Sequence, residues 1–374
     1  MAGTKRTGMC SERFPEGVNS LPPAGKLKSR DQTPGVMTMW RVRPAKLDDL
    51  QQILDLTNAQ SGRLSSTLPN TQAALTKKLE QSQASFANET DTPRRLLFVL
   101  EDTDTGQLAG TAGIDTRAGN GQPFYNYRRD YLIHASHELN VSRRVEVLYP
   151  SHALTDLTLL CAFTLKPELR NTPAFELLSR ARMMFIASHR EWFTNRTVVE
   201  IQGIQHENGD VPFWDSLGRH FFNMDFETAD QHSGQLSKTF IAELMPPNPI
   251  YVTLLSEAAQ QALGEPHPLT KPNYDLLQRE GFLPGCYVDI FDGGPVLEAR
   301  TDTLKTVVTS QPKTLHGSEG LDGETCLMSA GEGQDFRCLL TPVSETLADD
   351  VKVPVSTWHA LGRSAGDRVR ISPL

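Results

Sequence analysis

The fold is decided by the stretch TDLTLLCAFTLKPELRNTPAFELLSRARMMFIASH, Thr155–His189. Its first part, Leu157–Leu165, is a nearly continuous apolar run of strand length. A short polar break, 166–173, separates this run from 174–187, where apolar residues recur at helical spacing. The stretch therefore predicts a buried strand, a loop and a helix, in that order.

The loop between the predicted strand and helix is a candidate phosphate site. Thr172 is a residue type that caps helices, and Pro173 suits the first helical position. Free backbone N–H groups converge at such a helix start and can bind phosphate. The alternative is an ordinary strand–loop–helix unit, of the kind that any α/β domain contains.

The composition is that of an ordinary globular protein. The 374 residues suffice for one large domain or two ordinary ones, and the net charge of -8 argues against a general nucleic-acid surface. No apolar stretch is long enough to span a membrane, and no apolar segment follows Lys5 and Arg6 as in a secretory signal. The cysteines are Cys10, Cys161, Cys286, Cys326 and Cys338. Their spacing is not that of a metal site, so reduced thiols and a cytoplasmic location are expected.

Three regions are expected along the chain. Residues 1–36 are rich in Gly, Pro, Ser and Lys, which predicts a disordered N-terminal extension or an over-extended gene start. Residues 37–298 carry the helix and strand patterns of the main domain. Residues 299–374 contain short alternating segments rich in Gly, Thr and Val, which predict a small β-rich C-terminal module.

The main domain is predicted to mix strands and helices. Two apolar runs, 96–100 and 108–114, flank a Gly-containing turn and predict a β-hairpin. The other predicted strands are 39–44, 125–128, 145–149, 198–204 and 287–291. One helix is predicted to begin at residue 47, and others are predicted at 73–79, 251–263 and 274–280. A short helix that stops at a glycine is predicted at 213–218. No G-x-G-x-x-G motif follows a strand, which argues against a dinucleotide-binding sheet. The order predicts an α+β fold with a mixed, mostly antiparallel sheet flanked by helices, and it resembles the acyl-CoA-dependent N-acyltransferase (GNAT) architecture.

Several long segments together resemble the arginine N-succinyltransferase family. They occur in the family's order, and the likeness runs from about Met39 to the C-terminus. The segments are Tyr125–Arg128 (YNYR), His134–Asn140 (HASHELN), Leu177–Arg182 (LLSRAR), Pro212–Phe222 (PFWDSLGRHFF), Phe240–Pro246 (FIAELMP) and Tyr287–Pro295 (YVDIFDGGP). The resemblance implies transfer of a succinyl group from succinyl-CoA, as co-substrate, to the α-amine of L-arginine. It implies no permanently bound cofactor, and a homo-oligomer or a hetero-oligomer with a related chain.

The resemblance also assigns roles to individual residues. The family's matching histidine is a proton donor, which implies that role for His267 in the segment GEPHP. Phe163, on the opening strand, matches a position whose backbone contacts succinyl-CoA, and Arg170 can offer charge to a phosphate of the donor. Without the resemblance, His267 would be interpreted as a surface-loop histidine and Phe163 as core packing.

Other polar residues are weaker candidates. Glu200 lies in a predicted strand, where it could accept a proton from the amine or form a buried ion pair with Arg180 or Arg182. Tyr125, Asn126 and Arg128 could bind a carboxylate or could be solvated strand residues. The histidines considered for a metal site are His134, His137, His206, His220 and His232. Of these, only His134 and His137 could share a helix face, and no third ligand follows at a metal-site interval. No metal site is therefore expected.

The loop after Arg170 departs from the family pattern. Relatives carry a glycine-containing loop of the form Arg-x-x-Gly-x-Gly, whereas this chain has Pro173 and Phe175 at the glycine positions. Two alternatives to succinyltransfer to arginine therefore remain open. One is a GNAT-type acyltransferase with another acyl donor or another amine acceptor, and the other is a catalytically impaired partner subunit. Ornithine is considered as a second substrate of the succinyltransferase itself.

Overall fold

The computed structural model describes residues 39–60, 68–90, 92–235, 239–318, 323–346 and 349–374. The predicted disordered extension, 1–36, lies outside these residues, as does Cys10. In the part of the chain that is described, no helix is long and apolar enough to cross a membrane.

The chain forms sixteen strands and ten α-helices within the described ranges. The strands are β1 (Trp40–Pro44), β2 (Arg95–Asp102), β3 (Leu108–Asp115), β4 (Asn126–Ser136), β5 (Val141–Ser151), β6 (Thr158–Leu165), β7 (Arg196–Glu200), β8 (Ile250–Tyr251), β9 (Leu283–Asp289), β10 (Pro295–Arg300), β11 (Gln311–Ser318), β12 (Glu324–Ala330), β13 (Arg337–Val343), β14 (Glu345–Thr346), β15 (Asp350–Pro354) and β16 (Arg368–Pro373). The helices are α1 (Leu50–Gln60), α2 (Gln72–Phe86), α3 (Pro173–Ser188), α4 (Arg219–Phe222), α5 (Phe226–Gln235), α6 (Thr239–Leu244), α7 (Glu257–Ala262), α8 (Lys271–Glu280), α9 (Lys305–Thr309) and α10 (Val355–Leu361).

The strands form one sheet in the order β14-β15-β11-β16-β12-β13-β1-β2-β3-β6-β7-β10-β9-β4-β5-β8. Among these described strands, only the β6–β7 and β11–β15 pairs are parallel. The helices α1 and α2 pack on one face of β2, β3 and β6, and α3 packs on the other face. The predicted α+β fold with a mixed, mostly antiparallel sheet is therefore confirmed.

The opening stretch folds as predicted, apart from its helix cap. β6 and α3 match the predicted strand and helix, and Pro173 is the first residue of α3. Thr172 occupies the cap position, but its hydroxyl donates to the carbonyl of Leu169 at 2.8 Å and does not cap the helix. The buried side of α3 carries Phe185, whose ring meets Phe98 and Phe336 edge to face at the centre of the largest apolar cluster.

Two helix predictions were wrong in their bounds. The expected glycine stop at Gly218 does not end its helix: a π-helical turn at Trp214–Gly218 continues into α4, which ends at Asn223 in a left-handed conformation. The predicted helix 251–263 begins only at α7, because Ser256 caps that helix by accepting from the N–H of Ala259. The residues before Ser256 form β8 and a single 3-10 turn.

The strands β4 and β5 form a long hairpin, here called the arm. They pair from Asn126 opposite Ser151 to Ser136 opposite Val141. Only the base of the arm joins neighbouring strands, and most side chains towards its tip are exposed, including Ile133 and Leu139, each 75% exposed. His134 lies on β4 and His137 in the turn that follows, so the helix face considered for these two residues does not exist.

The C-terminal strands extend the same sheet. β13 pairs with β1 through Arg41 opposite Leu339 and Val42 opposite Cys338. β11, β12, β13, β15 and β16 enclose a second apolar cluster, which is closed on one side by α10. The predicted domain boundary near residue 298 stays a prediction.

Candidate functional site

A cleft begins where β6 and β7 separate. These parallel strands pair only through Thr158 opposite Thr197 and Leu159 opposite Val198. Further along β6, the register with β3 shifts and Ala162 takes a positive φ of 52°. Positive φ is unfavourable for a residue with a side chain, so this bulge is held by the surrounding structure. The bulge follows the last β6–β7 pair, at the point where the cleft begins.

Phe163 lies on the diverging part of β6. Its ring meets Phe175 of α3 edge to face at 5.4 Å, and the guanidinium of Arg182 lies 5.2 Å from the ring centre. Arg182 is 1% exposed and donates to the carbonyl and hydroxyl oxygens of Ser179. Burial lowers the pKa of Arg182 to about 10. The floor of the cleft beside Phe163 is thus aromatic and carries a buried cation.

Arg170 lies beyond the end of β6, in the loop that leads to α3. Its N–H donates to the carbonyl of Pro167, and its side chain is partly exposed two residues before the cap position of α3. Phe175, one of the residues in place of a family glycine, is buried against Phe163. The loop space that glycines would leave open is therefore partly filled by an aromatic side chain.

His267 is fixed to the segment that follows β7. Its N–H donates to the carbonyl of Gln202 at 2.8 Å, and its Nδ1 accepts from the N–H of Leu269 at 3.1 Å. The neutral ring consequently carries its proton on Nε2. Burial of the 9% exposed side chain lowers the pKa of His267, although a hydrogen bond with the backbone of Gln205 opposes this shift. His267 is held as a neutral imidazole near neutral pH.

The three predicted site residues lie on different segments. Phe163 lies on β6 beyond the last β6–β7 pair, and the N–H of His267 is anchored on Gln202, two residues after the end of β7. Arg170 lies in the loop between β6 and α3. That these three residues form one site stays a prediction.

Glu200 ends β7 and is bound by a residue from the arm. The amide of Asn126 donates to its carboxylate at 2.6 Å. Asn126 is fully buried, and its Oδ1 has no hydrogen-bond partner among the described residues. The ion pair considered for Glu200 is not made by Arg180, which pairs with Glu280 instead. Sequence spacing gives no signal for an Asn126–Glu200 contact, because the residues come from distant strands.

The other two YNYR candidates have different surroundings. Tyr125 is half-buried, and its ring lies edge to face with that of His152. Arg128 is exposed and forms an ion pair with Asp130 at 3.1 Å. A carboxylate ligand at Arg128 would therefore compete with Asp130 for the guanidinium.

Asp292 braces the segment that carries Gln202, a role that the sequence did not indicate. Its carboxylate accepts from the N–H groups of Gly203 at 2.8 Å and Gly294 at 2.7 Å. Burial raises the pKa of Asp292, with a further contribution from the negative charge of Asp289. A Cβ at Gly203 would approach the carbonyl oxygen of Asp292 to 2.6 Å, so this close contact requires glycine.

The described residues include no group of three or more His, Cys, Asp or Glu side chains that could hold a metal ion. His134, one of the histidines considered for a metal site, instead lies on the arm with its ring 5.7 Å from that of Tyr251. The candidate polar groups are thus the imidazole of His267, the carboxylate of Glu200 held by Asn126, and the cations Arg170 and Arg182 at or before α3.

Comparison with known proteins gives consistent matches over nearly all of the chain after residue 39. The model of the arginine N-succinyltransferase beta subunit matches residues 40–306, and that of its C-terminal domain matches residues 312–373. The arginine N-succinyltransferase subunit alpha of Pseudomonas aeruginosa is 39% identical over 336 residues, which is 89% of this chain and 99% of the relative. The arginine N-succinyltransferase of Citrobacter koseri is 38% identical over 342 residues, covering 90% of this chain and 98% of the relative.

A solved structure agrees with these matches. It is arginine/ornithine succinyltransferase subunit AI from Pseudomonas aeruginosa, with a TM-score of 0.83, 36% identity, and coverage of 90% of this chain and 99% of the other. The relatives' names describe acyltransferases, and the resemblance carried by the six quoted segments is confirmed. The chain belongs to the arginine N-succinyltransferase family.

Proposed function

We propose that this protein transfers the succinyl group of succinyl-CoA to the α-amine of L-arginine, releasing N2-succinylarginine and CoA. The observation that carries the proposal is the early end of the β6–β7 pairing, with His267 anchored on Gln202 just after β7. Family membership supplies the reaction class, and the cleft supplies a place where a donor and an amine can meet.

The extended pantetheine chain of the donor suits the gap between the strands. The pairing of β6 with β7 ends at Leu159, and we propose that the backbone of Phe163, which lies beyond that point, binds an amide group of the pantetheine chain as a neighbouring strand would. Phe163 would contribute its backbone, which explains why an aromatic side chain is tolerated at this position. Its ring is already used in packing against Phe175.

His267 has the protonation state that the chemistry requires. The attacking amine must be neutral and loses a proton as it bonds to the thioester carbon, and the departing sulfur must gain one. A neutral imidazole can take the first proton and, as imidazolium, pass it to the sulfur, while a second proton from the original ammonium leaves to solvent. Because both ring nitrogens are hydrogen-bonded in the free protein, one of those bonds must yield to the reacting groups.

Glu200 and Asn126 are suited to the amine side of the cleft. The carboxylate of Glu200 can attract the substrate ammonium, and the amide of buried Asn126 orients that carboxylate. Together they would hold the amine near His267 without a bound metal. We place the arginine-binding part of the site around this pair.

Arg170 is expected to contribute binding energy for the donor and little to the chemical step. Replacing Arg170 with Ala should weaken CoA binding roughly tenfold at low salt, because a charge-assisted hydrogen bond to a phosphate contributes about 1.5–3 kcal/mol. Isothermal titration with CoA measures this, and Lys77→Ala, an exposed cation on α2, is the control. Equal affinities of the wild type and the Arg170 variant would remove Arg170 from the donor site.

We further propose that the protein works as an oligomer in the cytoplasm. Four described cysteines, Cys161, Cys286, Cys326 and Cys338, are free thiols, which suits a reducing compartment. A relative is named as a subunit, and the arm exposes apolar side chains that a copy of this chain or a related chain could cover.

The arm gives a direct test of assembly. Replacing Ile133 with Asp should lower the mass measured by light scattering, because a charge cannot be buried without a partner at an apolar contact. Val308→Asp, at another exposed apolar residue, is the control and should leave the mass unchanged. A wild-type mass for the Ile133 variant would exclude the arm tip as the contact.

The proposed reaction is tested by following thiol release from succinyl-CoA or acetyl-CoA with arginine, ornithine and lysine. Succinyl-CoA with arginine should give the fastest release. Faster turnover of acetyl-CoA, or of another amine, would favour the alternative acyltransferase. No release from any pair, with CoA binding retained, would favour a partner subunit that has lost catalysis.

A further inference from the structure

A second polar cavity lies outside the cleft between β6 and β7. It has a volume of about 300 Å³ and is formed where β1, β13 and the end of α10 meet. Strands β2 and β3 separate β1 from β6 in the sheet, so roughly 14 Å of sheet lies between the cavity and the cleft. Five cationic side chains line it, namely Arg41, Arg43, Lys46, Arg337 and Arg363.

Two of these cations are neutralised by carboxylates. Arg43 binds Asp49 at 2.8 Å and Glu101 at 2.8 Å, and Arg41 binds the other oxygen of Glu101 at 2.5 Å. Arg41 also donates to the carbonyl of Ala360, which fixes α10 against β1. This network sets the two guanidinium groups rigidly at one wall of the cavity.

The other three cations form no ion pair with any carboxylate among the residues that the structure describes. Arg337 uses one nitrogen, Nη1, to donate to the carbonyls of Gln334 and Phe336, which leaves other N–H groups for a ligand. Arg363 makes only a long hydrogen bond, 3.4 Å, to the carbonyl of Gly362, and Lys46 is exposed at the rim. Asp335 also lines the cavity but is exposed and pairs with none of them.

Burial and the neighbouring positive charges both act on Arg337. Its pKa is lowered first by burial and then by the positive charges of Arg41 and Arg43, with smaller opposing contributions from Asp335 and Glu101. The carboxylates present therefore do not compensate the cations around Arg337. An anion placed among these groups would remove the repulsion.

We infer that this cavity binds a compact oxyanion with about two negative charges, of the class of inorganic phosphate or a short dicarboxylate. Guanidinium groups bind such oxygens in bidentate fashion, and four of them line the cavity, of which Arg337 and Arg363 form no ion pair among the described residues. Leu361 is the only large apolar side chain in the lining, so the cavity offers no place for a base or an acyl chain. The site is separate from the donor and acceptor sites proposed above.

Binding there would fasten the C-terminal strands to the rest of the sheet. Arg41, Arg43 and Lys46 belong to the start of the chain, whereas Arg337 and Arg363 belong to its last part. An anion that contacts both groups stabilises their junction, and ligand binding to the folded state raises the unfolding temperature by mass action. The predicted signature is stabilisation by specific anions at constant ionic strength.

The test uses the full-length protein in thermal unfolding with sodium phosphate, sodium succinate or sodium chloride at matched ionic strength. Phosphate, succinate or both should raise the unfolding temperature by a few degrees over chloride. The anion that raises the unfolding temperature more, phosphate or succinate, identifies the class of anion that the cavity prefers. Equal unfolding temperatures in all three salts would overturn the inference.

Two variants assign the effect to this cavity. Arg363→Gln and Lys46→Gln change two cations near the surface of the cavity. Combined in one protein, they should reduce the anion-dependent rise in unfolding temperature and weaken anion affinity in titration calorimetry at least tenfold. The control, Arg368→Gln at an exposed arginine outside the cavity lining, should keep the wild-type temperature shift and affinity. A full shift in the double variant would place the anion elsewhere and overturn the assignment. Thiol release is measured in parallel, so loss of the anion effect remains distinguishable from failure of the proposed reaction.

Discussion

Replacing His267 with Asn is expected to lower kcat by a factor of about 10² to 10⁴, the usual contribution of a general acid–base group. Affinity for CoA should change by less than about threefold, since an interaction needed only in the transition state does not alter ground-state binding. Asn can keep a hydrogen bond to the backbone near Leu269, but it cannot accept and return a proton. Stopped-flow or steady-state thiol release, with CoA titration alongside, measures both quantities.

The pH profile separates this role from a structural one. Burial lowers the pKa of His267, so the folded protein keeps the ring neutral to a lower pH than a free histidine would. Protonation of the substrate amine makes kcat/KM fall as pH drops below the pKa of that amine. Because the resting enzyme also needs the neutral ring, kcat/KM should fall more steeply than this below a second midpoint, under about 6.5. That acidic limb should disappear in the Asn variant.

His220→Asn is the matched control, because His220 is exposed on the short helix α4, away from the anchoring contacts of His267. It should retain both wild-type turnover and the acidic limb. Wild-type turnover in the His267 variant would exclude His267 from proton transfer. A loss of turnover accompanied by an equal loss of thermal stability would indicate instead that its contact with Gln202 is the important one.

The sequence predicted those parts of the fold that depend on local pattern. β6 was predicted from an apolar run and α3 from apolar residues at helical spacing. Both patterns are reliable here because β6 and α3 contribute side chains to the same apolar cluster. The bulge at Ala162 left no trace in the sequence, since alanine is an ordinary strand or helix residue. Its positive φ is imposed by contacts with β3, including the hydroxyl of Thr111 on its carbonyl.

The glycine at 218 shows why a local rule failed. The rule assigns a glycine near a helix end to the left-handed stop position. Here a Cβ on Gly218 would approach the indole ring of Trp214 to 2.2 Å, so the glycine serves close packing inside a continuing helix. The stop is made by Asn223, whose φ is 50°. The contact with the ring of Trp214, four residues earlier in the same turn, distinguishes this use of glycine from a helix stop.

The candidate site was predictable to a smaller extent. His267 and Phe163 were named from the family resemblance, because no local pattern relates a residue on β6 to one in the segment anchored behind β7. Asn126 and Glu200 were each considered, but their contact was not, since it joins residues 74 positions apart. The anchoring of Gly203 by Asp292 is likewise a long-range contact with no spacing rule behind it.

The largest expected effect on stability lies at the buried ion pair that joins α3 to α8. Arg180 and Glu280 are each 2% exposed, and Nε of Arg180 lies 2.7 Å from the Glu280 carboxylate. Arg180 also donates to the hydroxyl of Thr306 and to the carbonyl of Pro373, and Glu280 accepts from the N–H of Thr306. The pair thus connects the central helix with α9 and the last strand of the sheet.

Glu280→Gln should lower the free energy of unfolding by about 3–5 kcal/mol, because it leaves the guanidinium of Arg180 buried without its counter-charge. Chemical denaturation at constant ionic strength measures this loss. The matched surface variant is Glu176→Gln, which breaks the exposed pair with Arg279 at 2.9 Å and should cost no more than about 1 kcal/mol.

Replacing both partners distinguishes the cost of an unpaired charge from the value of the pair. In Arg180→Met with Glu280→Leu, no buried charge remains, so most of the loss caused by Glu280→Gln should be recovered. Recovery will be incomplete, because the double variant also loses the hydrogen bonds that Arg180 makes to Thr306 and Pro373. If the double variant is less stable than Glu280→Gln alone, those hydrogen bonds outweigh desolvation, and the cluster stabilises the fold chiefly as a polar network.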